Sequence, residues 1–421
     1  MRPPSPAYKW WVVGMLWLVC FFNYADRQSI FSVFPLLQSE LGLTDLELGI
    51  AGASFMWVYA LFGPVAGWMG DRFSRKGLIF GALVFWSLVT AATALCHNLG
   101  QLTLCRALGG LGEAFYFPAS MSLIGDYHAG ATRSRAMALH QSSVYAGTIG
   151  GGACAGWLAE HFGWRPMFAC FGLVGIALAA VLWGLLREPA RGSADAKPGA
   201  AVAPDARPLP TVIAGLLASR PVLWLILAFI GANFVAMVFL TWMPSYLHRT
   251  FAMNLSMAGW NATAWLQSAS VAGVLTGGVL ADRLARRRPG ARALTQSIGL
   301  ACGVPFLFLT GRTLSVPVLV AAMACFGYFK GLYDANIFAS LYDVVTVEVR
   351  AAAAGLLNSL GWLGAGFAPV LVAAGSRRFG MSACLSATSA IYLCCAILLA
   401  AAARTQGRRP AADVHLPTIA R

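Results

Sequence analysis

Apolar runs of about twenty residues recur along the whole chain, broken by short polar stretches, and each is about long enough to cross the hydrocarbon core of a bilayer as a helix. Twelve such runs are read: 10–35, 47–70, 78–97, 99–127, 135–160 and 164–186, then 219–247, 257–282, 293–311, 315–344, 350–375 and 380–403. The short alternating segments of a membrane β-barrel are not seen. The pattern predicts an all-α membrane protein. The first run carries Asp26 and Arg27, lacks a small-residue cleavage site and is followed by further runs, so it reads as a retained span rather than a signal peptide.

Between the sixth and seventh runs the pattern fails. The stretch "REPARGSADAKPGAAVAPDARPLP" is rich in Pro, Ala, Asp and Arg and reads as a linker. The expected division is a six-span bundle over 1–186, a linker over 187–218, a second bundle over 219–404 and a tail over 405–421. Two halves are expected because the chain repeats itself. "GWMGDRFSRK" (Gly67 to Lys76) returns as "GVLADRLARR" (Gly278 to Arg287), and Asp126, Arg133, Gln141 and Phe162-Gly163 return as Asp343, Arg350, Asn358 and Phe379-Gly380. An even number of spans separates the copies, so the halves share one orientation.

Composition supports the same picture: 58% of the 421 residues are hydrophobic and 11% are charged, against about 25% charged in an average soluble domain. The net charge of +14 would suggest nucleic acid in a soluble protein. Its distribution points elsewhere. Of the thirty Lys and Arg, twenty-two fall in the N-terminus, the even-numbered loops, the linker and the tail, and five in the odd-numbered loops. The other three, Arg27, Arg106 and Lys330, lie inside spans. By the positive-inside rule both termini and the linker are cytoplasmic. The ten cysteines sit mostly within spans without paired metal spacing and read as small apolar packing residues.

The repeated charged string sits between the second and third span of each half. Gly67 and Gly278 are expected to allow close helix approach, and Asp71 and Asp282 to pair with an arginine of a neighbouring helix. The cations Arg72, Arg75, Arg283 and Arg286 would anchor the turn at the membrane surface, the whole forming a conformational latch. "GWMGDRFSRK" resembles the signature loop of the major facilitator superfamily, with "GVLADRLARR" like its second-half copy. The resemblance covers essentially the whole chain. It implies twelve transmembrane helices in two pseudo-symmetric six-helix bundles about a central cavity, with these loops as a cytoplasmic gate.

Charges at membrane depth are costly, about 2.5–3.5 kcal/mol each on insertion scales, so each is a functional candidate. Span 1 carries "NYADRQS" with Asp26 and Arg27; span 4 carries "CRALGGLGEAFYFPAS" with Arg106 and Glu113 two helical turns apart; span 10 pairs Lys330 with Asp334 at i,i+4. The four first-half charges either neutralise one another or serve an anion and protons, and both readings stay open on the residues alone. "NYADR", "CRALGGLGEAFYFPA" and "HFGWRPMF" resemble the anion:cation symporter family, carriers of hexuronates, sugar acids and other organic anions. That resemblance implies that Arg27 and Arg106 hold a substrate carboxylate, that Asp26 and Glu113 couple protons, and that Tyr59 lines the cavity. Where that family commonly has Trp-Phe-Pro after span 4, this chain has "GDYHAGATR", which is closer to the spinster-like lysolipid carriers.

The second half offers Asn233, Tyr333, Asn336, Asn358 and Trp362, whose amides, hydroxyl and rings suit a sugar acid; Asn358 among glycines also suits plain interhelical bonding. "GTIGGGACAG" in span 5 reads as small-residue packing, since no strand precedes it as a dinucleotide loop requires. His140, beside Gln141, is a candidate cavity residue, and His161 shows no metal-ligand spacing. No phosphate loop and no catalytic constellation is present. The expectation is a non-enzymatic, cofactor-free secondary transporter of a bacterial-type inner membrane. It would be monomeric, bind no nucleic acid and move a small organic anion with protons. Anion exchange, a spinster-like lipid exporter and a non-transporting sensor are the rival readings.

Overall fold

The computed structural model describes residues 7–128, 130–189, 209–346 and 349–406. Among them the regular structure is helical. The first half contains α1 (Tyr8–Ser32), α2 (Phe34–Leu41), α3 (Asp45–Arg72), α4 (Arg75–Thr93), α5 (Leu99–Ala114), α6 (Tyr116–Tyr127), α7 (Gly130–Phe162) and α8 (Trp164–Leu185). After α9 (Leu209–Ala218) the second half contains α10 (Arg220–Phe251), α11 (Leu255–Ala285), α12 (Ala291–Arg312), α13 (Val316–Asp334), α14 (Ile337–Tyr342), α15 (Arg350–Ala365), α16 (Phe367–Phe379) and α17 (Met381–Gln406). The segment expected to be all linker thus ends in a helix, α9, whose run "LPTVIAGLL" is apolar enough to pack against α15.

Four of the twelve expected spans are not continuous helices. Spans 1, 4 and 11 break at Val33, Phe115 and Gly366, and in each Pro35, Pro118 or Pro369 follows within three residues. Proline lacks the N–H that would bond the carbonyl four residues back, so the helix is interrupted just before it. Span 10 breaks at 335–336 without a proline; there the Asn336 amide donates to the carbonyls of Leu332 (3.1 Å) and Gly277 (3.2 Å), competing with the helix's own bonding.

Among the described residues nine stretches are long and apolar enough to cross a membrane, by length and composition: α3, α4, α8, α10, α11, α12, α13–α14, α15–α16 and α17. The spans that fall short of that measure are α1, α5–α6 and α7, all in the first half. α1 and α5 carry the four buried charges, and α7 is diluted by Gly, Ser, Thr and His.

The chain forms two compact units. One holds the described residues up to 189 together with Leu240–Ala264; the other holds 209–239 and the described residues from 265 onward. In the first unit α1 packs most extensively on α7. The close approach comes from glycines: a Cβ at Gly147 or Gly151 would collide with the α1 backbone at Phe21 and Ala25, so "GTIGGGACAG" is a packing surface. Around it lies an apolar core of Val12, Leu16, Val19, Leu83, Trp86 and Leu123.

Residues 240–264 are stitched into this unit by polar bonds. Arg249 donates to both Asp45 oxygens (2.8 and 3.0 Å) and to Gln38 (2.5 Å), and the Glu160 carboxylate accepts the Ser256 N–H at the start of α11 (3.0 Å). Gln28 donates to the Leu240 carbonyl at 2.9 Å. In the second unit the dominant pairings are α12 with α17 and with α13.

Candidate functional site

Four helices of the first unit converge on one charged cluster. α1 presents Asn23, Asp26 and Arg27, α3 presents Phe55 and Tyr59, α4 presents Thr90, and α5 presents Arg106 and Glu113. The four charged residues are buried, with 4% of Asp26, 6% of Arg27, 5% of Arg106 and 1% of Glu113 exposed. Two cations and two carboxylates make the cluster formally neutral, which is what makes such burial tolerable. α3 and α5 come close enough to build it because Gly110 lies directly against the Phe55 backbone.

Pairing within the cluster is unequal. Arg27 Nη2 and Nε donate to one oxygen, Oε2 of Glu113, at 2.9 and 3.1 Å, and Nη2 also reaches Asn23 Oδ1 at 3.4 Å. Glu113 therefore bonds across helices to Arg27 rather than along α5 to Arg106. The Arg27 guanidinium lies 4.6 Å from the ring centre of Tyr24, 4.7 Å from that of Tyr59 and 4.8 Å from that of Phe55. Arg106 lies 4.6 Å from the centre of the same Phe55 ring, so one aromatic ring serves both cations.

Asp26 Oδ2 accepts from Thr90 at 2.5 Å, and Asp26 lies within electrostatic reach of Arg106. Its Oδ1, however, and the Nε and Nη2 of Arg106, are buried without a hydrogen-bond partner among the described residues. Buried polar atoms are nearly always satisfied, and a guanidinium whose Nε and Nη2 have nothing to donate to is a donor site for a planar anion such as a carboxylate.

The second-unit candidates are placed differently. Asn336 is buried with its amide on two backbone carbonyls, and Tyr333 is buried in the helix core. Asn233, on α10, donates to the Phe229 carbonyl (2.9 Å) and stands against Gly361 of α15, between Asn358 and Trp362, which are both half-buried. Lys330 and Asp334 bond each other along α13. His140, on α7, is fully buried and meets the Tyr116 hydroxyl at 3.0 Å.

The repeated charged strings correct two expectations. Neither Gly67 nor Gly278 is a close-approach point, since a Cβ at either would meet nothing within 4 Å. Nor is Arg286 the second-half counterpart of Arg75. Arg75 opens α4, is buried, and pairs with Asp126 and Glu188 (Nε to Oε1, 3.3 Å). In the second unit Arg292, at the start of α12, bonds Asp282 (2.9 Å) and Asp343 (2.7 Å), while Arg283 and Arg286 are exposed. The loop before α12 is longer than the loop before α4, which displaces the equivalent arginine beyond the copied string. Arg72 lies over Trp68 at 4.2 Å, and the Asp71 side chain lies outside the described residues.

Sequence reasoning missed Asn23, Phe55, Thr90 and Arg292. Asn23 and Phe55 each precede a candidate by four residues, one helical turn, and Arg292 opens the third span of its half as Arg75 does; Thr90 carries no such signal.

A family model described as Major Facilitator Superfamily matches residues 16–315 and 246–418. A probable anion transporter of rice chloroplasts is 29% identical over 80% of this chain, which spans 58% of that protein's length. The probable galactarate/D-glucarate transporter GudP of Bacillus subtilis is 26% identical over 86% of this chain and 85% of its own. The hexuronate transporter of the same species is 25% identical, covering 83% of each chain. The crystal structure of a bacterial homolog to the human lysosomal transporter Spinster, inward-facing and unoccupied, superposes with a TM-score of 0.84 at 22% identity, over 96% of this chain and 98% of that one.

Proposed function

Since the chain belongs to the Major Facilitator Superfamily, a family whose matched members here are transporters and not enzymes, we propose that it is a proton-coupled carrier of a small organic anion. Sugar acids of the hexuronate or aldarate kind head the substrate class. The observation that carries the reading is Arg106: a buried guanidinium with two nitrogens, Nε and Nη2, lacking acceptors, beside a second arginine held in an aromatic cage.

The mechanism follows from the unequal pairing. With Glu113 ionised, Arg27 is engaged by Glu113 Oε2. A proton taken up by Glu113 removes that charge, and Arg27 then joins Arg106 in binding the anion. Asp26, bonded by Thr90, is the second proton acceptor. Proton and anion thus favour one another, and alternate exposure of the loaded and unloaded site to the two sides of the membrane converts that preference into net transport. The topology proposed with it places both termini and the linker in the cytoplasm of a bacterial-type inner membrane, with the protein working as a monomer and without cofactor.

The test is uptake of labelled galactarate, glucarate, a hexuronate and a lysolipid into proteoliposomes, with and without an inward proton gradient, for wild type and Arg106→Ala. Anion uptake that the gradient accelerates and the substitution abolishes is the expected result. Lysolipid movement with no anion carried would replace this reading by an amphiphile exporter.

A further inference from the structure

The short loop between α4 and α5 brings two thiols together. Cys96, on the loop, is buried, Cys105, on α5, is half-buried, and their sulfurs lie 3.7 Å apart. The loop is braced from α8: Arg165 donates to the Cys96 carbonyl at 3.3 Å and stacks on Trp164 at 4.1 Å, and the Trp164 indole N–H donates to Glu40 at 2.7 Å.

We propose that Cys96 and Cys105 form a reversible disulfide that tethers α4 to α5 beside the charged cluster. A disulfide bond is about 2.05 Å long, so the sulfurs have less than about 2 Å to close. Cys96 sits on a loop, where small backbone adjustments are available. The proposal rests on the topology given above, in which the loop between spans 3 and 4 faces the outside, the oxidising side where disulfides persist.

The chemistry is exchange with a disulfide oxidant. The Cys105 thiolate attacks one sulfur of the oxidant and expels its first thiol, giving a mixed disulfide. The Cys96 thiolate then attacks the Cys105 sulfur and expels the second, so two protein thiols are oxidised as one oxidant disulfide is reduced to two thiols. The consequence follows from what the two helices carry. Thr90, which holds Asp26, is on α4 less than two turns before Cys96, and Arg106 is the residue after Cys105. Oxidation would therefore restrain two of the site's four helices and slow turnover.

The test treats purified full-length protein with glutathione disulfide, alkylates the remaining thiols and maps the peptides by mass. The expected product is a peptide pair joined through Cys96 and Cys105, two hydrogens lighter than the reduced pair and restored by dithiothreitol. Cys96→Ser should instead leave Cys105 as a glutathione adduct. Full alkylation of both cysteines after oxidant treatment overturns the proposal. This readout needs no transport, so its failure is distinct from failure of the carrier reading. In proteoliposomes, oxidation should lower initial uptake several-fold in wild type and not in Cys105→Ser; equal uptake by linked and reduced protein would overturn the effect on the site.

Discussion

The two halves share a helix plan and differ in what their spans bury. In the first, α1 and α5 carry two arginines and two carboxylates into the interior and so fall short of the hydropathy of ordinary spans. In the second, all six spans are long and apolar, and several of their polar groups bond within the unit's own helices. Ser270 donates to the carbonyls of Leu266 and Gly327, Gln296 to Ser340, Ser297 to the Ala396 carbonyl, and Asn336 to two carbonyls. The difference teaches that the repeat duplicated a helix scaffold without its buried charge: the cluster of two arginines and two carboxylates stands in one copy.

The strongest way to break that comparison is to remove charge from each half. Arg27→Ala strands Glu113 as a buried unpaired carboxylate, which should cost about 3–5 kcal/mol of stability and abolish uptake. The double variant Arg27→Gln/Glu113→Gln should recover the thermal midpoint but not the uptake. The double variant Lys330→Met/Asp334→Leu in the second half should leave uptake near wild type, and its loss there would extend the ligand chemistry into the second copy.

A smaller effect should come from Phe55→Leu, which keeps the volume apolar but removes the ring shared by Arg27 and Arg106. Cation–π contacts contribute about 0.5–2 kcal/mol each, so losing one should lower apparent substrate affinity by roughly two- to thirtyfold. The opposing substitution in the second unit, Phe329→Leu, should change thermal stability and not affinity, because that ring stacks on Phe306 rather than on a cation.

The smallest effect concerns the charged end networks. Burial pushes the Glu188 carboxyl upward, but bonds from Ser74, the Arg75 N–H and the Arg75 guanidinium outweigh it and hold the group below the usual carboxylate range. A depressed folded-state value means that the stabilisation is present above the unfolded value and lost as pH falls through the folded one. Wild type and Glu188→Gln should therefore differ in thermal midpoint near neutrality and converge in acid, whereas the Arg292 network with Asp282 and Asp343 should be insensitive to the substitution.

Much of the arrangement was legible from residues. The spans, the duplication and the four buried charges follow from apolar run length and from the rarity of charge inside it. What could not be read was which partners those charges choose. Arg106 and Glu113 lie on one helix, yet Glu113 bonds Arg27 because the fold turns the long side chains of α1 and α5 toward one another, a fact of tertiary packing. Phe55 and Thr90 look like ordinary span residues until a guanidinium or carboxylate is placed against them. The helix breaks at Val33, Phe115 and Gly366 precede prolines, yet Pro64, Pro244 and Pro305 sit inside unbroken helices, so proline alone does not mark a break; the break before Asn336 depends on an amide reaching the carbonyls of Leu332 and Gly277.

The bonds from Asp45, Gln38 and Glu160 to Arg249 and Ser256 mean that ancestry and mechanics divide this chain at different places. The copied segments meet at the linker, but the first compact unit borrows Leu240–Ala264 from beyond it. A gene split within the linker would thus encode an amino-terminal fragment missing part of its own body. Such fragments should be interdependent, each recovered from cells in quantity only when its complement is made beside it.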